Sequence, residues 1–189
     1  MSGDGLNDRG RALEEAFFAK QNEQLRQRLH QAGGEKAKRD AFAAASGITD
    51  DAVLDKLMGM GIGVETLAAV SLVPLVLVAW ADGSIDARER DAVLAGAAES
   101  GMGQGDASRS LLDGWLAKRP TPELLATWKG YIGAMSASMD AGAKASLKRE
   151  LLGRARTVAE ATGGMLGIGR RVSASEETVL RDLETAFSV

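Results

Sequence analysis

Residues 66–81 read Thr-Leu-Ala-Ala-Val-Ser-Leu-Val-Pro-Leu-Val-Leu-Val-Ala-Trp-Ala, the longest stretch of the chain without a charge. Glu65 closes it on one side and Asp82 on the other. A membrane-spanning helix needs roughly 20 consecutive apolar residues, so this shorter run reads as a core helix over 64–81. It is apolar nearly all round, which places it in the middle of a bundle rather than on its surface. Pro74 removes one backbone donor and crowds the carbonyl of Val70, so a kink or break is expected there.

Downstream of this run the helix signals are local and repeated. Asp86-Ala-Arg-Glu89 has the form of a capping box, in which the N-cap side chain and the Glu three residues later satisfy each other's backbone N–H groups. Its helix should reach about Ser100, with Val93, Leu94 and Ala97 inward. Another helix carries Leu111, Leu112, Trp115 and Leu116. Thr121-Pro122-Glu123 combines a capping residue, a proline at the first helical position and an acid in the first turn. Leu124, Leu125, Trp128, Ile132 and Met135 form the apolar stripe that follows. A longer helix is expected over about 143–162, ended by Gly163-Gly164. Ser173-Ala-Ser-Glu176 is a second capping box, opening a last helix through Val179, Leu180, Leu183 and Phe187.

Upstream lies the glycine-rich joint Gly59-Met60-Gly61-Ile62-Gly63. It is the expected boundary between an N-terminal helical region, residues 1–60, and a helical domain, residues 61–189. The N-terminal region reads as a helix over 8–31 ended by Gly33-Gly34, then helices near 36–46 and 51–58. Leu13, Phe17, Leu25 and Leu29 give the first of these an apolar stripe. His30, the single histidine, falls in its last turn, where a cation is favoured. No segment shows sustained two-residue alternation. The fold class is therefore all-α, a multi-helix bundle preceded by N-terminal helices.

Composition narrows the chemistry. The 189 residues include no Cys and one His, which removes disulfides, thiolate nucleophiles, zinc knuckles and iron–sulfur clusters. Apolar residues make up 45%, enough for a real core. Leu outnumbers Val and Ile together, which favours helix over sheet. A net charge of -3 argues against nucleic-acid binding. The polar, acidic start has neither a basic n-region nor an apolar h-region, so no signal peptide is expected and the expected location is cytoplasmic. No nucleophile motif, P-loop or dinucleotide fingerprint occurs, so no enzymatic activity is expected.

Any metal would have to be held by oxygen, and one place concentrates carboxylates: Asp82-Gly83-Ser84-Ile85-Asp86-Ala-Arg-Glu89. Aligned on an EF-hand loop, these residues match positions five to nine and twelve, but positions one and three become Val78 and Trp80, which offer no side-chain oxygen. A hard cation such as Ca2+ could still be held if other carboxylates approach, with Glu176, Asp91 and Asp140 as the candidates. The plainer use of Asp86 and Glu89 is to cap a helix. The segment 81–94 also resembles 168–180: each has a glycine-bearing turn, an apolar residue, an N-cap, Glu three residues later and then a Val-Leu pair, Val93-Leu94 and Val179-Leu180. That order raises an internal duplication as one reading and two ordinary capped helices as the other.

The pattern Leu75-Val-Leu-Val-Ala-Trp-Ala-Asp82-Gly83-Ser-Ile-Asp86-x-x-Glu89 resembles the TerB-like tellurite-resistance domain, as does Val172-Ser173-x-x-Glu176 through Leu183. The resemblance covers residues 62–189. It implies two pseudo-repeated helical halves and an acidic cation site at Asp82, Asp86, Glu89 and Glu176. It also implies a non-enzymatic role as a protein-interaction module in metal or envelope stress response. The second half departs from the pattern, since Gly169-Arg170-Arg171 stands where the Asp-Gly turn should repeat. Residues 8–20 are similar to the start of the small inhibitor subunit of α-proteobacterial ATP synthases. The partners expected are another protein, or a second copy of the chain joined through 8–31, with no nucleic acid and at most peripheral membrane contact. The alternative is a structural, oligomerising helical protein with no ligand. The basic residues Lys144, Lys148, Arg149, Arg154 and Arg156, with Arg170 and Arg171, read either as a solvated face or as a patch.

Overall fold

The structure, a computed structural model, describes residues 33–102, 106–162 and 172–188. It divides into two compact units, Met1–Ala41 and Phe42–Val189. The segment 8–31, expected to be an amphipathic arm, and the turn 169–171 lie outside the described residues. Of the first unit, residues 33–41 are helical, and Lys38 pairs there with Glu35 at 3.0 Å. Helix α1 covers 33–46. Gly33 and Gly34, expected to end a helix, are themselves helical. A mid-helix glycine costs about 1 kcal/mol relative to alanine and does not forbid the conformation.

The second unit is all-helical among its described residues. After α1 come α2 (Asp51–Gly59), a 3-10 segment (Val64–Leu72), α3 (Val73–Ala79), α4 (Ala87–Glu99) and α5 (Ala107–Ala117). Then follow α6 (Pro122–Ser136), α7 (Ala141–Thr162), α8 (Ala174–Glu184) and a closing 3-10 turn (Thr185–Phe187). The starts match local chemistry. Asp50 accepts from the N–H groups of Ala52 and Val53 ahead of α2. Thr121-Pro122 opens α6, and Asp140 Oδ1 accepts from Ala143 N at 2.8 Å at the start of α7.

The central apolar run takes a divided form. In one continuous helix, Pro74 would leave the Val70 carbonyl without its donor. The chain avoids this by winding Val64–Leu72 as a 3-10 helix and starting the α-helix afresh at Val73. Pro74 then lies in a first turn, where no intrahelical N–H is required. Thr66 fixes the entry: its hydroxyl accepts from Gly63 N at 2.8 Å and donates to Gly61 O at 2.9 Å. The glycine joint before it turns the chain by 86° between α2 and Val64–Ala79, with Gly61 at φ +77, a backbone angle that side chains rarely adopt. Among the described residues no single helix is long and apolar enough to cross a membrane.

Val73, Pro74, Leu75, Val76, Val78 and Ala79 are all buried. Helix α3 packs against the 3-10 segment, α4, α6, α7 and α8. Burying each Val or Leu contributes about 1.5–3 kcal/mol, so this short helix anchors its neighbours. Helix α7 packs on α3, and its Leu151, Ala155, Val158 and Ala159 are all buried and spaced as one helical face. Phe42, Ile48, Leu54, Leu57 and Ile62 belong to the same core. The expected boundary at 60/61 therefore falls inside the second unit, whose core takes in α2.

The α3–α4 contact depends on Gly96. A Cβ there would lie 2.6 Å from Leu75 Cδ2, whereas one on Gly114 in α5 would meet nothing within 4 Å. Gly96→Ala should therefore destabilise by about 1–2 kcal/mol, because overpacking outweighs the helix-propensity gain. Gly114→Ala should stabilise by up to about 1 kcal/mol. The loss at Gly96 should shrink when Leu75→Ala is introduced as well, as read in a double-mutant cycle of urea denaturation. Equal gains at both glycines would contradict this packing.

Candidate functional site

Both capping boxes form as their sequences dictate. At the start of α4, Asp86 Oδ1 accepts from Glu89 N at 2.8 Å, and Asp86 N donates to Glu89 Oε2 at 2.7 Å. At the start of α8, Ser173 Oγ accepts from Glu176 N at 3.2 Å, and Ser173 N donates to Glu176 Oε2 at 2.6 Å. The two glutamates are buried, with 9% and 5% of their surface exposed. A buried carboxylate must be hydrogen-bonded to offset its desolvation, and these backbone N–H groups supply part of that compensation.

Asp82 and Asp86 differ from the glutamates in being exposed. Asp82 folds back on its own turn, where its Oδ1 accepts from Ser84 N at 2.9 Å and from Ser84 Oγ at 3.2 Å. Gly83, at φ +97, makes that reversal possible. The preceding residues are tied down by Trp80, whose Nε1 donates to Trp115 O at 2.9 Å. This bond holds the end of α3 against the end of α5.

The four carboxylates share one electrostatic neighbourhood. Burial pushes the Glu89 carboxyl above its usual pKa. The Asp86 N–H pulls it back, and the charges of Asp86, Asp82 and Glu176 add to the rise. Glu176 therefore reaches Glu89 although 87 positions separate them in sequence, because α4 and α8 both pack on α3 and α7. The structure thus brings the sequence-selected residues Asp82, Asp86 and Glu176 within electrostatic reach of Glu89. Among the described residues, no group of three or more His, Cys, Asp or Glu side chains is arranged to hold a metal ion. The geometry gives a reason: one oxygen of each glutamate faces backbone N–H groups, and Asp82 faces its own turn. The other acids considered lie apart in role, with Asp140 spent on the α7 cap and Asp91 exposed on α4.

One residue of this neighbourhood has no local signal in the sequence. The Nη1 of Arg119 lies 3.4 Å from where a Gly83 Cβ would stand, so a guanidinium rests against the acidic turn. It is delivered by the Trp80–Trp115 bond, a contact between residues 35 apart.

The basic residues of α7 do not form a uniform free patch. Lys148 pairs with Glu184 at 2.6 Å and Arg156 with Glu177 at 3.2 Å, joining α7 to α8. Arg154 donates to the hydroxyl of Ser100, the C-cap of α4, where a cation is favoured by the helix dipole. Arg149 donates to Ser146 Oγ at 3.3 Å, and Lys144 is engaged as well. Arg170 and Arg171 lie outside the described residues.

No protein-family model, curated protein or solved structure matches the chain.

The raised Glu89 pKa fixes the sign of a pH effect. The folded state holds the Glu89 proton more tightly than the unfolded state does, so ionising this group costs stability. The cost sets in as pH climbs from the ordinary value of 4.5 through the raised folded pKa. Glutamine at 89 can still accept from Asp86 N but cannot ionise. Relative to wild type, Glu89→Gln should therefore gain stability as pH rises through this window and level off above it. Glu89→Ala should lose about 1 kcal/mol through the broken cap. Thermal melts at a series of pH values read both, and a wild-type-to-Gln difference that does not vary with pH would contradict the burial and charge coupling.

Proposed function

We propose that this chain is a non-enzymatic, TerB-like helical interaction module that uses the acidic start of α4, beside the start of α8, to meet a cationic group of its partner. The supporting observation is the convergence of Asp82, Asp86, Glu89 and Glu176 in one electrostatic neighbourhood. Its division of labour matters. Glu89 and Glu176 face inward and hold the two helix starts. Asp82 and Asp86 are exposed and carry the charge outward.

Carboxylates held together by a fold create a negative potential, and an approaching cation relieves their mutual repulsion. A protein partner bearing Lys or Arg supplies such a cation, and it needs no cage of three carboxylates, which the described residues do not form. The resemblance to TerB-like domains gives this surface its context, a metal or envelope stress response. Arg119 beside Gly83 tempers the potential of the turn, so association there should be modest and salt-dependent.

The test uses substitutions that keep the hydrogen bonds and remove the charge. Asn caps a helix as well as Asp does, so Asp82→Asn with Asp86→Asn should preserve the turn and the α4 start. Pull-down from the native host, followed by mass spectrometry, should recover a partner with wild type and lose it with the double variant, and recovery should fall as salt is raised. Identical partner recovery for both proteins would remove the acidic face from the function.

A further inference from the structure

We draw no further inference here: the strongest candidate, the groove of about 200 Å3 between α7 and α8 lined by Leu152, Arg156, Glu177, Leu180, Arg181 and Glu184, carries nothing, because three of its four charged side chains are already paired within the chain and its volume falls short of an ordinary ligand pocket.

Discussion

The constraint on which the second unit depends is the missing N–H of Pro74. An apolar run of this length would otherwise wind as one straight helix through the core. The proline divides it, so Val64–Leu72 tightens into a 3-10 helix and α3 begins at Val73. The resulting α3 is only seven residues long, yet most of the other helices pack on it. Short length and burial of six of its seven residues go together: a helix shorter than about 12 residues is marginal in water by itself, and this one is held by the apolar side chains that surround it. The entry from α2 is set separately, by the glycine joint and the Thr66 hydroxyl.

From that anchor the acidic neighbourhood follows by packing. Helix α3 ends at Ala79, the Asp82-Gly83 turn reverses the chain, and α4 starts at once with its capping box. Helix α8 packs on α3 and α7, and its own capping box carries Glu176 into the field of Glu89. Two buried carboxylates within electrostatic reach of one another are costly in a core. Here each accepts a backbone N–H that the helix start would otherwise leave unsatisfied, which offsets part of that cost. The arrangement serves the helix starts first, and the charge that reaches solvent belongs to Asp82 and Asp86.

Much of this was legible because it is written in adjacent residues. Both capping boxes, the Thr121-Pro122 start and the break at Pro74 depend on neighbours within four positions, and each is found where the sequence places it. What the local pattern could not supply is contact across the chain. Nothing near Arg119 indicates that it reaches Gly83, and nothing near Glu176 indicates Glu89; both depend on where whole helices dock. The joint at Gly59–Gly63 shows the same limit. Its glycines mark a sharp turn, which by local pattern alone has the look of a boundary, whereas the burial of Leu54, Leu57 and Ile62 in one core makes it a bend within a unit. Gly33 and Gly34 are helical although glycine is a poor helix former, a preference too weak to decide a single position.

The central claim is that helix packing couples the two capping carboxylates and the exposed aspartates into one unit. Its most direct measurement is the NMR titration of the Glu89 side-chain carbonyl carbon in wild type and in Glu176→Gln, which keeps the α8 cap and removes one charge. The account predicts a Glu89 pKa above the ordinary glutamate value in wild type and a lower one in the variant. A Glu89 titration that is the same in both proteins, with the α8 amide signals unchanged, would contradict it.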